Sequence, residues 1–121
     1  MEGKNDRDTL SELITRYFDA LKSGDFSKIQ FTPDATLQTP FMETPVTGKE
    51  VVIEALKEIS KSVEDIKILR FVIEDEFACA IIEFKNRNGV IVNMCDTYRI
   101  SDGKLAEICP YFDPHPLSED R

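Results

Sequence analysis

The apolar residues of this chain change period near residue 65, and that change restricts the fold more than any other feature. Before it the spacing is helical. Leu10, Leu13, Ile14, Tyr17, Phe18 and Leu21 recur at i, i+3, i+4, i+7, i+8 and i+11, one continuous stripe that can face a core. Thr9 and Glu12 have the spacing of a capping box, and Gly24 suits a C-terminal stop. Asp25 can cap a short turn carrying Phe26 and Ile29. Thr32-Pro33-Asp34 ends that turn, because proline disfavours helix at the residue before it. Residues 35–39 (ATLQT) suit a short strand, followed by a loop punctuated by Pro40 and Pro45. A second helix is predicted from Thr47-Gly-Lys-Glu50, again with capping-box spacing. Val52, Ala55, Leu56, Ile59 and Val63 form its buried face, and Glu54, Lys57, Glu58 and Lys61 face water.

After residue 65 the pattern is strand-like, rich in Ile, Val and Phe, with strands predicted at about 66–74, 76–86, 90–100 and 104–112. Asn88-Gly89 is the strongest hairpin signal, since both residues tolerate the positive φ of a type I′ turn. Ser101-Asp102-Gly103 marks the next hairpin. Consecutive hairpins make an antiparallel meander, so the class is α+β. No repeat, low-complexity tract or linker divides the chain. It reads as one domain over residues 1–121, with its core at about 8–114 and a polar, proline-broken tail at 115–121. A curved antiparallel sheet with helices on one face encloses a cavity, a common place for a small-molecule site.

Composition narrows the partners. The chain has 15 Lys plus Arg against 23 Asp plus Glu, a formal charge of −8, and no basic run, so neither nucleic acid nor an anionic membrane surface is expected as a partner. The longest apolar run, Phe77–Ile82, is six residues, far below the roughly 18 that a membrane span needs. The N-terminal MEGKNDRD has no hydrophobic region of the kind found in secretory signals, and the expected location is cytoplasmic. Cys79, Cys95 and Cys109 form an odd set without CxxC spacing, which reads as reduced thiols. A zinc site using them and His115 has enough ligands, but the spacings of 16 and 14 match no cysteine cluster. Small apolar residues buried in strands explain them better. No metal and no cofactor are expected.

The segments RYFDALKSGDFSKI (16–29), TPDATLQTP (32–40), the TGKE helix start and DTYRISDGKLAEICPYFDP (96–114) follow the order seen in the nuclear transport factor 2-like superfamily. The chain resembles that superfamily, which includes SnoaL-like cyclases and ketosteroid isomerases, over about residues 8–114. The resemblance implies a strongly bent sheet wrapped around the N-terminal helices, a cystatin-like α+β barrel with a conical pocket, and homodimers paired through the outer sheet face. The superfamily also hosts dehydratases, epoxide hydrolases and adaptors, so the fold alone does not assign a reaction.

Within the superfamily the motifs look closest to ketosteroid isomerase. Its oxyanion-hole tyrosine, in RYxxALxxGD, corresponds to Tyr17 here, and its oxyanion-hole aspartic acid corresponds to Asp96 in NMCDTYRI. In that isomerase an apolar site keeps the aspartic acid protonated so that it donates a hydrogen bond. The base is not retained: its position is Thr39, and neither Thr39 nor Gln38 beside it titrates usefully near neutral pH.

Hairpin register decides whether another base is available. With Asn88-Gly89 as a two-residue turn, Arg87 pairs with Val90, Met94 lies opposite Glu83, and Asp96 lies opposite Ile81. Glu83 then shares the pocket wall with Asp96, and two carboxylates in one apolar cavity drive one pKa upward. The other reading has Glu83 in solvent with Ile82 and Phe84 inward, since a one-residue slip exchanges the faces. For the next hairpin, a two-residue Asp102-Gly103 turn puts Cys109 and Tyr111 on the Asp96 face. A three-residue Ser101-Asp102-Gly103 loop puts Ile108, Pro110 and Phe112 there, which the resemblance favours, and sets Cys95 against Cys109 outside.

The candidate catalytic residues are therefore Tyr17, Asp96 and Glu83. Phe18, Thr39, Ile81, Met94, Ile108, Pro110 and Phe112 are the candidate ligand-binding residues. Tyr17 also reads as an ordinary core tyrosine, His115 as a surface histidine, and Asp113 as a cap. Two functions follow. One is an isomerase or lyase acting by proton transfer on a hydrophobic carbonyl or hydroxyl compound. The other is a non-catalytic ligand-binding or dimerising adaptor domain.

Overall fold

The computed structural model describes residues 6–118. Helix α1 spans Asp6–Ser23, strand β1 Phe31–Leu37, the short β2 Val46–Thr47, and helix α2 Lys49–Ser60. The meander follows as β3 (Val63–Glu74), β4 (Phe77–Asn86), β5 (Ile91–Ser101) and β6 (Lys104–Tyr111), and a single 3-10 turn covers His115–Leu117. One six-stranded open sheet runs in the order β2-β1-β6-β5-β4-β3. It is mixed rather than purely antiparallel, because β1 runs parallel to β6. The intervening α2 and three meander strands supply the long crossover that a parallel pair needs.

All six residues of the α1 stripe are buried against the concave sheet face, none more than 8% exposed. Each such side chain contributes roughly 1.5–3 kcal/mol of burial. α2 adds Val52 and Leu56 beside them. The strand alternation is equally plain: Ala78, Ala80, Ile82 and Phe84 of β4 and Val92, Met94, Asp96, Tyr98 and Ile100 of β5 all point inward.

Several local expectations are corrected. α1 starts at Asp6, so Thr9 lies inside the helix rather than at its N-cap. At α2 the N-cap is Gly48, at φ 111°, with no side-chain cap. Thr47 is instead held in the sheet opposite Thr36, and the Gly48 N–H donates to the Ala35 carbonyl at 2.8 Å. α2 ends at Ser60, and Val63 begins β3. β1 begins at Phe31, four residues before the expected start, and includes Pro33. A proline fits there because the β1–β6 register shifts between Phe31 and Thr36, a bulge where the ladder needs no N–H. Leu117, in the segment expected to be a tail, packs against the core. Residues 119–121 of that segment, and residues 1–5 at the start, lie outside the described residues.

The hairpins decide which side chains enter the concave face. Arg87-Asn88-Gly89 is a three-residue loop, with Gly89 at φ 86° and the Asn86 N–H bonded to the Val90 carbonyl. The Asn86 side chain accepts from the N–H groups of both Asn88 and Val90 at 2.9 Å, which holds this longer loop against the expected two-residue turn. Asp102-Gly103 is a two-residue turn, both at positive φ, with Ser101 opposite Lys104. Extended unchanged, that register would set Asp96 opposite Cys109. A bulge at Ala106, opposite the Arg99–Ile100 step, shifts it by one, so Asp96 faces Pro110 and Tyr98 faces Ile108. The facing expected from a three-residue loop is thus produced by a tight turn plus a bulge.

Two glycines at positive φ separate backbone strain from crowding. A Cβ on Gly24 would lie 3.3 Å from Ser60 Oγ, whereas one on Gly103 meets nothing within 4 Å. Gly103→Ala should therefore cost about 1 kcal/mol from the left-handed backbone alone, and Gly24→Ala visibly more. Urea denaturation of the two variants measures the order; equal losses would contradict it.

Candidate functional site

The concave face and the helices enclose a cavity of about 530 Å³. Its walls are apolar, with Leu37 from β1, Ile66 from β3, Ile82 and Phe84 from β4 and Met94 from β5. Phe41, Met42, Phe112 and Leu117 frame one side, where the Phe41 and Phe112 rings lie 5.9 Å apart. The loop that carries Phe41 is held by its own backbone and side chains. Thr39 Oγ1 accepts from the Phe41 N–H at 3.2 Å, and Gln38 Nε2 donates to the carbonyls of Met42 and Glu43.

Asp96 is the chemical anomaly of this cavity. It is 5% exposed, in the middle of the inward row of β5, and lines the cavity. Oδ2 accepts a hydrogen bond from Tyr98 Oη at 3.1 Å, while the buried Oδ1 has no partner among the described residues. Burial raises its pKa from 3.8 to about 7, and the Tyr98 hydrogen bond opposes the rise only in part. Tyr17 also lines the cavity, and its ring meets that of Tyr98 edge-on at 5.5 Å. Burial, with the Asp96 charge second, raises both tyrosines well above the usual phenol range, so both keep their protons at neutral pH.

The structure brings Tyr17 and Asp96 together and separates Glu83 from them. Glu83 lies opposite Asn93, not Met94, on the convex face, where it pairs with Lys67 at 3.8 Å. The three-residue loop at 87–89 is the reason, since it moves the register by one residue. Ile81 is corrected on the same ground: it sits opposite Cys95 on the convex face, and Ile82 takes its place inside. Thr39, Met94, Pro110 and Phe112 line the cavity. Phe18 and Ile108 do not; Phe18 packs behind Tyr17 against Tyr98, and Ile108 is buried opposite Tyr98. Asp113 caps the final turn by accepting from the His115 N–H at 3.0 Å. Cys95 faces Tyr111 rather than Cys109, and its Sγ lies 3.1 Å from that of Cys79. No group of three or more metal-ligating side chains occurs among the described residues.

Tyr98 is the residue that sequence reasoning missed. Its signal was present: two residues after Asp96 in a strand, it shares the Asp96 face in any register.

These features define a nuclear transport factor 2-like fold, an α+β cone with one buried acid in an apolar interior. Similar solved structures support the fold. A de novo designed protein with a curved β-sheet aligns with TM-score 0.80 at 18% identity, covering 92% of this chain and 90% of that one. An NTF2-like protein of unknown function from Cytophaga hutchinsonii aligns with TM-score 0.74 at 21% identity, covering 97% and 98%. A provisionally assigned ketosteroid isomerase from Kribbella flavida aligns with TM-score 0.75 at 13% identity, covering 88% and 78%. No curated protein matches. Residues 5–121 match the family described as a domain of unknown function, DUF4904, and the chain belongs to that family.

The raised pKa of Asp96 has a thermodynamic consequence. The folded chain holds this proton more tightly than the unfolded chain, so the stability it carries is complete below about pH 4 and is lost as pH rises through about 7. Asp96→Asn cannot ionise and keeps an oxygen for Tyr98. The variant should gain on the parent across that window, by about 4 kcal/mol at most. Urea melts at several pH values measure the gap; a gap independent of pH would refute the assignment.

Proposed function

We propose that this chain binds one small, mostly apolar molecule in its cone and anchors it by a single polar group on Asp96. The observation that carries the reading is the buried Asp96 carboxyl, which lines a mostly apolar cavity and whose Oδ1 has no partner among the described residues. Burying a carboxyl with one oxygen unpartnered is costly, and a ligand group that reaches the carboxyl recovers part of that cost. A cavity of about 530 Å³ is within the usual range for such sites.

Binding without catalysis fits the site better than an isomerase or lyase of the family type. Glu83 is on the convex face, Thr39 is a loop clamp, and neither supplies a base beside Tyr17 and Asp96. A second reading, proton transfer on a hydrophobic carbonyl or hydroxyl compound, is favoured by one observation. Asp96, with a pKa near 7, can serve as both acid and base, with Tyr17 beside it as a donor. In that case Asp96→Asn abolishes turnover of any substrate found.

The proposal includes a homodimer paired through the convex sheet face and a cytoplasmic location. Val72 and Phe77 are 52% and 53% exposed there, and the partly buried cysteines lie in the same face. Free thiols suit a reducing compartment, and no helix among the described residues is long and apolar enough to cross a membrane.

Nile red, a neutral apolar dye, tests the cavity. Its fluorescence should rise with the parent protein and with Ile81→Trp, which changes the convex face. It should not rise with Ala55→Phe, which fills the cavity from α2. Equal responses from the two variants, both shown folded by circular dichroism, would remove the cavity from the reading. Sedimentation should give a dimer for the parent and a monomer for Phe77→Glu; a monomeric parent would remove the dimer.

A further inference from the structure

Two acids are the only charged residues that line the cavity among the described residues: Asp96 in its wall, and Glu58, which is exposed and paired with Lys61 at 2.7 Å. No lysine, arginine or histidine lines it. The groups around Asp96 are equally one-sided. α1 contributes the neutral Tyr17, β4 the apolar Ala80 and Ile82, β6 Pro110, and β5 itself Tyr98. The thiols of Cys79 and Cys95 lie on the other side of the sheet. Tyr98 donates to Oδ2, which supports the ionised form of Asp96 without adding a charge. Aromatic rings complete the lining, with Tyr17 and Phe84 inside and Phe41 and Phe112 at one side.

An oxyanion would meet only acidic charge here. An ammonium would meet the Asp96 carboxylate and several aromatic rings, surroundings that favour a desolvated cation. We propose that the ligand of this cavity is a hydrophobic amine, held as its ammonium form by the Asp96 carboxylate and the aromatic lining. The inference rests on the small-molecule reading above and names the class of ligand.

The geometry demands a definite pH dependence. The amine needs Asp96 ionised, whereas a neutral carbonyl ligand needs it protonated, so the two affinities run in opposite directions across the titration of Asp96 near pH 7. Amantadine and adamantanone share one apolar cage and differ in this group. Calorimetry on the full chain should show amantadine binding about 30-fold more tightly at about pH 8 than at about pH 5.5, following the ionised fraction of Asp96. Adamantanone should be the weaker ligand at about pH 8 and gain nothing as pH rises. Asp96→Asn, shown folded by its amide NMR spectrum, should lose amantadine binding and its pH dependence. Amantadine binding that is equal in the variant, or stronger at low pH, would overturn the inference. If adamantanone and Nile red bind and amantadine does not, the amine is wrong and the cavity reading stands. If none of the three binds, the cavity reading itself fails.

Discussion

The site depends on the carboxamide of Asn86, which sets the length of the β4–β5 loop. Asn86 accepts from the N–H groups of Asn88 and Val90 and so holds a three-residue loop between β4 and β5. Side chains alternate faces with a period of two, so one residue more or less in that loop exchanges the inside and outside of one strand relative to the other. With this loop, Ile82, Phe84, Met94 and Asp96 face the helices, and Glu83 and Lys67 pair on the convex side. The other register would bury a glutamate and expose a row of large apolar side chains. Core packing and the Asn86 hydrogen bonds therefore select the same register.

Curvature rests on irregularities of the same kind. β3 is bulged near Asp65 and again at Leu69, β6 at Ala106 and β1 beside Pro33. Each leaves one or more residues without a ladder partner, bends its strand and increases local twist. The sheet wraps the α1 stripe while remaining open, and the space left between sheet and helices is the cavity. The Ala106 bulge also turns Pro110 and Phe112 toward Asp96, so sheet shape and cavity chemistry share one cause.

Asp96 and Glu83 show how little residue type says without position. Both are acids in β-branched, apolar strands. One sits in a desolvated wall with a tyrosine for a partner and titrates near neutrality. The other lies 36% accessible beside a lysine. The net charge of −8 follows the same division, since nearly all the acids among the described residues lie in helix faces, turns and the convex surface, where they serve solubility. The acid that makes the site distinctive is one that the total does not reveal.

The sequence alone determined the α1 stripe, the strand meander, the hairpin positions and the pairing of Tyr17 with Asp96 by family resemblance. Those features are local, because helical and strand periods, turn residues and motifs are written within a few positions of one another. Tertiary structure decided the rest. A bulge has no sequence signature as sharp as Asn-Gly, so the Ala106 shift, the early start of β1 and the parallel β1–β6 pair were not legible. The length of the 87–89 loop turned on a side-chain hydrogen bond, and with it the faces of Glu83, Ile81 and Ile82. Tyr98 was readable by its spacing from Asp96, but its role appears only where the hydroxyl meets Oδ2. Local chemistry proposes the elements; which face of each one meets the cavity is settled by contacts between residues far apart in the chain.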